Sequence, residues 1–200
     1  MVTPDGKWIT FDGGETFSLV PGYVSEPHRE DVVDSSAIAQ ERDALTQLRT
    51  LSDVHRALEE AIGASPTRSV ALLYIDIDDF HAFNHEYGHR AGDDVLVEFA
   101  NRLVEVVGGD SGLFRTGGEE FLAVLPNATV DAACAVAERV CERVRNEPFQ
   151  LSLGGGGLTT SIGVVCASGQ DATWDAVWGA ADRALLESKR NGRNRWTLAT

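Results

Sequence analysis

The run Val70–Ile77 (VALLYIDI) constrains this chain most. Its apolar part, Val70 to Ile75, is far shorter than the roughly 20 residues a membrane helix requires. It reads instead as a short buried strand that ends in acids. Alternation puts Asp76 on one face of that strand and Ile77 on the other. From Asp43 onward the pattern around it is regular α/β.

A helix is expected from about Ser52 to Ile62, closed by Gly63 and Pro66. After the strand come a helix near Asp79–Glu86 and a longer one near Gly92–Val107. Leu113–Thr116 and Phe121–Leu125 read as strands joined by Gly117-Gly118-Glu119-Glu120, a tight acidic hairpin. A cysteine-bearing helix, a Gly154–Gly157 loop, a strand Leu158–Val165, a helix Trp174–Lys189 and a short strand near Trp196 complete the series. Ahead of it, Lys7–Phe11 and Thr16–Val20 flank a Gly-rich turn and read as a hairpin, which is marginal in water alone. Residues 28–42 read as an exposed linker helix. The expected organisation is thus a hairpin appendage over 1–27, a linker over 28–42 and a domain over 43–200.

Composition narrows the partners. The 200 residues are 43% hydrophobic and 24% charged, ordinary for a soluble globular protein. The net charge of −14 argues against a nucleic-acid polymer, whose phosphates need clustered cations, and against an anionic membrane surface. A small nucleotide stays open, because a few cations or a metal reverse the field inside a pocket. Lys189, Arg190, Arg193 and Arg195 form one such basic island. The three cysteines lack a CxxC pair, and Cys134 and Cys141 share a helix face with Ala133, Ala137, Val140 and Val144, which reads as buried thiols. No signal peptide is visible, so a reduced, cytoplasmic protein is expected.

Two acidic elements could carry chemistry. The turn Gly117-Gly118-Glu119-Glu120 offers a backbone that a ligand can approach closely, and two carboxylates that repel unless a cation relieves them. Asp76, at the end of a buried strand, could join them in a hard-oxygen site for Mg²⁺. The plainer readings are a solvated acidic hairpin and a helix N-terminus dressed with Asp78 and Asp79.

These residues stand in a longer series: Asp76-Ile77-Asp78-Asp79-Phe80, Asn84, Tyr87-Gly88-His89, Gly92-Asp93, GGEEF at 117–121, Leu158–Gly163, Ala181-Asp182, Lys189 and Gly192-Arg193-Asn194, preceded by Asp43-Ala44-Leu45-Thr46. The series resembles the GGDEF family of diguanylate cyclases over about residues 43–196. The resemblance implies a palm-like α/β fold with a central, mainly antiparallel sheet flanked by helices. It implies condensation of two GTP into cyclic di-GMP with release of pyrophosphate, across a homodimer, with Mg²⁺ or Mn²⁺. Asp76, Glu119 and the Ile77 carbonyl would hold the metal, and Glu120 would lie near it and the attacking 3′-hydroxyl. Asn84 and Asp93 would read guanine, with Phe80 and Leu96 also at the nucleotide. Gly117 and Gly118 would leave room for the α- and β-phosphates, and Lys189 and Arg193 would clamp the terminal ones.

The sequence also departs from that pattern. His81 stands where the family usually has a phosphate-binding Lys, and His85 replaces a common acid. Gln47 and Leu51 alter the opening motif. Gly108-Gly109-Asp110-Ser111 replaces the Arg-x-x-Asp of the inhibitory product site, so no product inhibition through that site is expected. These departures keep a second reading in view, a weak or inactive module that binds GTP or a protein partner; a cyclase making another cyclic dinucleotide is a third. His85-Glu86-Tyr87-Gly88-His89 also matches the zinc-protease pattern HExxH, but Gly88 weakens the helix that this pattern needs. The four glycines at 154–157 lack the Gly-Lys-Ser/Thr of a phosphate loop and precede a strand.

Overall fold

The computed structural model describes residues 8–10, 16–20, 23–24, 42–62, 69–108, 112–149, 157–168 and 173–200. The chain divides into two compact units, Met1–Ala39 and Gln40–Thr200. In the first, β1 (Trp8–Thr10) pairs antiparallel with β2 (Thr16–Val20), which pairs antiparallel with β3 (Tyr23–Val24). The expected hairpin is therefore a three-stranded sheet. The third strand has two residues, too few to show any alternation in sequence. Of the expected linker helix over 28–42, residues 28–41 lie outside the described residues. Arg42 is extended, bridging to Arg49.

The second unit is a six-stranded sheet ordered β4-β6-β7-β5-β8-β9. The strands are β4 (Arg49–Thr50), β5 (Ser69–Ile77), β6 (Gly112–Gly117), β7 (Glu120–Pro126), β8 (Thr160–Ser168) and β9 (Arg195–Leu198). The three inner pairings are antiparallel, and the two outer ones, β4 with β6 and β8 with β9, are parallel. The sheet is thus mainly antiparallel, with β5 near its middle between β7 and β8.

Helices cover both faces, so β5 is buried along nearly its whole length. On one face, Leu73, Ile75 and Ile77 pack with Phe83, Phe99 and Leu103 of α2 (Phe80–Tyr87) and α3 (His89–Val107), and with Val140 of α4 (Val130–Asn146). On the other, Leu72 and Tyr74 pack with Leu58 of α1 (Val54–Ile62) and with Val177 and Leu185 of α5 (Trp174–Arg190). Thr129 and Thr173 cap α4 and α5 by accepting the amides of Ala132 and Ala176.

Several boundaries differ from expectation. The first helix opens as a 3₁₀ turn, Leu51–Asp53. α3 begins at His89, because Gly88 at φ +85° breaks the chain between α2 and α3 and the polar first turn has no apolar period. β8 begins at Thr160: Leu158 is buried but unpaired, so burial alone mimicked a strand. Gly154–Gly156 lie outside the described residues. Cys141 is buried, whereas Cys134 is half-buried. Among the described residues no helix is long and apolar enough to cross a membrane.

Candidate active site

The ends of β5, β7 and β8 bring the acids together. Asp76 on β5 faces Glu120 of β7 on one side and Ser161 of β8 on the other in the strand register. The Ile77 amide donates to the Glu119 carbonyl at 3.3 Å, which fastens the hairpin tip to the strand end. The tip turns through Gly117 and Gly118 at φ +150° and +52°, after a register shift next to Arg115. That backbone suits glycine, and a Cβ at either position would meet nothing, so the tip has open space above it. Glu119 and Glu120 are both half-buried.

Asp76 is 4% exposed. Burial raises its carboxyl to about 6, offset in part by the Lys189 ammonium and reinforced by the charges of Glu119 and Glu120. Lys189 Nζ lies 2.7 Å from Asp76 Oδ2. Tyr74, one alternation earlier on the same face, rests on the Trp178 ring at 4.8 Å between centroids. Its phenol is pushed upward by burial and by its hydrogen-bonded neighbour Glu120.

Asp78 behaves otherwise. Its carboxylate accepts the hydroxyls of Thr159 and Ser161, each at 2.7 Å, and the Asn194 amide at 3.0 Å. It therefore ties β5 to β8 and to the turn before β9. Asp79 occupies the α2 N-cap at φ +55° without a side-chain cap bond, and Arg193 Nε lies 3.4 Å from its Oδ1. Both acids stand at the N-terminus of α2, as expected, and in addition pair across the strand ends.

The α2–α3 pair carries the other candidate residues. Phe80 and Leu96 are buried in the core beneath the helices, whereas Asp93 is exposed. Asn84 Oδ1 is buried without a partner, and it lies against Gly92, where a Cβ would overlap it. His81, His85 and His89 are exposed, and the break at Gly88 puts His85 and His89 on different helices. The HExxH arrangement, which needs both histidines on one continuous helix, is absent.

Sequence reasoning missed two braces. Arg115 donates to the Gly118 carbonyl from Nε at 3.1 Å and from its terminal nitrogen at 2.7 Å, and also reaches Asp43 Oδ1 at 2.9 Å. Asp43 also accepts the Thr46 amide and hydroxyl. Burial works against its charge, but these bonds and Arg115 hold its carboxyl below the ordinary value. The opening Asp-x-x-Thr is therefore a turn that props the GGEEF tip. An open cleft of about 420 Å³ lies there, lined by Asp43, Thr50–Ser52 and Arg115–Gly118. The second brace is Asp78, legible only as a member of an acidic run.

Residues 40–195 match the family described as Diguanylate cyclase, GGDEF domain. The chain belongs to that family. It is 40% identical over 131 residues to Diguanylate cyclase A of Treponema denticola, covering 66% of this chain and 35% of that one. It superposes on the GGDEF domain of DgcB from Caulobacter crescentus in complex with c-di-GMP, with TM-score 0.74, 29% identity, and coverage of 79% and 92%. The diguanylate cyclase SiaD of Pseudomonas aeruginosa, in complex with its activator SiaC, gives TM-score 0.74 at 34% identity, covering 79% and 61%. The chain spans about a fifth to a half of the full length of the curated relatives it matches, from 22% to 53%.

The acids fit a divalent cation. Asp76 keeps a buried carboxylate beside two further acids, with one ammonium as its ion-pair partner. Among the described residues no three acidic, His or Cys side chains converge tightly enough to hold a metal by themselves.

Proposed function

We propose that this GGDEF domain condenses two GTP into cyclic di-GMP, releasing pyrophosphate, with each domain of a homodimer holding one nucleotide. The observation that carries the reading is the strand end where Asp76 pairs with the Lys189 ammonium and has Glu119 and Glu120 as neighbouring acids. Asp76 and Glu119, with the Ile77 carbonyl, would hold Mg²⁺ or Mn²⁺, which supplies charge stabilisation at the α-phosphate and at the attacking 3′-oxygen. The chain's own part is positioning. Asn84 and Asp93 receive the guanine edge, with Phe80 and Leu96 forming the apolar floor. The Gly117-Gly118 tip lets the triphosphate approach the backbone closely. Lys189 and Arg193 then neutralise the terminal phosphates, and Glu120 orients the 3′-hydroxyl for in-line attack. At each of the two α-phosphates the bond from that oxygen forms as the bond to pyrophosphate breaks. Two pyrophosphates therefore leave per cyclic di-GMP, and each 3′-hydroxyl gives up its proton to solvent.

A second reading, a GTP-binding module with little turnover, is favoured by exposed His81 in place of a phosphate-binding Lys. Incubation with GTP and Mg²⁺, followed by mass spectrometry of the products, separates the two. Cyclic di-GMP from the wild-type chain, abolished in Glu119→Ala, is the expected result. Retained GTP binding without any cyclic product at high protein concentration would establish the module instead.

A further inference from the structure

We propose that Asp78 is the positioning residue of the triphosphate clamp: its buried carboxylate fixes the Gly192–Asn194 turn that aims Arg193. The inference rests on Arg193 acting as a phosphate-binding cation, as read above.

Asp78 lies just past the end of β5 and is 3% exposed. Its Oδ1 accepts the Ser161 hydroxyl, and its Oδ2 accepts both the Thr159 hydroxyl and the Asn194 amide. Its own amide donates to the Thr159 carbonyl at 2.9 Å. With three donors already satisfied on a buried carboxylate, little acceptor capacity is left for a metal. The acid serves the scaffold, and one of its three partners belongs to the candidate site.

That partner is a backbone N–H in an unusual turn. Gly192, Arg193 and Asn194 all have left-handed backbones, at φ +105°, +61° and +51°. Non-glycine residues stay in that region only where their surroundings over-determine them. Most restraints on the turn are local: the Arg193 amide donates to the Ser188 carbonyl at 3.0 Å, and the Gly192 amide to the Lys189 carbonyl at 3.4 Å. Those two bonds tie the turn to α5, the bond from the Asn194 amide to Asp78 ties its backbone to the end of β5, and Arg145 of α4 reaches the Asn194 side chain at 3.4 Å. The bond to Asp78 settles where Arg193 leaves the chain. From there the guanidinium meets Asp79, while Lys189 on the last turn of α5 meets Asp76, so both cations face one strand end. An asparagine at 78 would keep the shape, its amide nitrogen turned to the Ser161 hydroxyl, but would lose the charge that strengthens the Asn194 bond, and the turn's anchor would weaken.

The test is equilibrium binding of a non-hydrolysable GTP analogue and of GMP to the full chain, carrying Arg193→Ala, Asp78→Asn, both, or Thr159→Val. Arg193→Ala and Asp78→Asn should each weaken the triphosphate about tenfold, as loss of a charge-assisted contact does, and leave GMP unchanged. The double variant should be no weaker than Arg193→Ala alone, since one residue acts through the other. In turnover, KM for GTP should rise in Asp78→Asn while kcat is retained. If Asp78→Asn weakens GMP and triphosphate equally, or adds fully to Arg193→Ala, the inference is overturned. Thr159→Val, which removes one donor and spares the acid, keeps the question open to test if Asp78→Asn does not fold. A smaller, triphosphate-only loss there supports the proposal, and no loss overturns it. Unchanged triphosphate binding in Arg193→Ala would instead overturn the clamp reading itself.

Discussion

Asp76 and Asp78 stand two residues apart at one strand end and are equally buried, yet their surroundings are opposite. On the Asp78 side, two hydroxyls and an amide converge on the carboxylate, and β8 and the β9 turn are stitched together by it. On the Asp76 side, the neighbours are Glu119, Glu120 and one lysine on a flexible stem. A buried charge with its donors supplied is architecture; a buried charge short of them costs stability and is kept for another purpose. Burial alone does not separate the two.

Removing each charge is the direct way to break this comparison. Asp78→Asn should destabilise the domain by about 3 kcal/mol, because three hydrogen bonds lose the charge of their acceptor. Urea denaturation reads this, and a wild-type midpoint would erase the distinction. Asp76→Asn should act with the opposite sign, stabilising the metal-free chain at pH 7 by about 1 kcal/mol. Burial pushes its carboxyl up to about 6, above the ordinary value of 3.8. Between those values the folded state binds more protons than the unfolded one, so the contribution of Asp76 to stability falls as pH rises through that window. Melting curves in EDTA at pH 4, 5 and 7 should show the Asp76→Asn advantage growing with pH and levelling off above about pH 6. The same substitution should cost activity about a thousandfold. The smallest effect is expected on the exposed first turn of α2, where His81→Lys should tighten triphosphate binding a few-fold, a surface charge being worth roughly 0–1 kcal/mol. Titration at two salt concentrations checks it, since the gain must shrink as salt rises.

Much of the domain was legible because its signals are local. The VALLYIDI run, the glycine pair between two strands and the apolar periods of α3 and α5 each declare their element within a few residues. β3 and β4 were missed because two residues carry no period. The start of α3 was misplaced because a polar first turn looks like loop. The site was legible as a set of residue types in order, but not as a set of partnerships. Asp78 meets Asn194, Arg115 meets Asp43, and Lys189 meets Asp76 only after the sheet has folded. These pairs are separated by dozens of residues, and nothing in the run DIDD tells which acid receives donors and which receives a lysine.

Gly163 shows how the two halves of that strand end are held to one geometry. It sits on β8 beneath α5, and a Cβ there would overlap the Ala181 carbonyl oxygen and the Leu185 amide nitrogen, both backbone atoms. The helix therefore rests on the sheet main chain to main chain, with no side chain between them to act as a cushion. Lys189 is carried by a part with almost no mechanical play, and only its own rotamers can change its reach. The hairpin tip is held differently, by the Ile77 amide on Glu119 and by Arg115 on the Gly118 carbonyl, with open space beside its glycines. One side of this strand end is thus set by main chain resting on main chain, and the other by side-chain hydrogen bonds across an open turn.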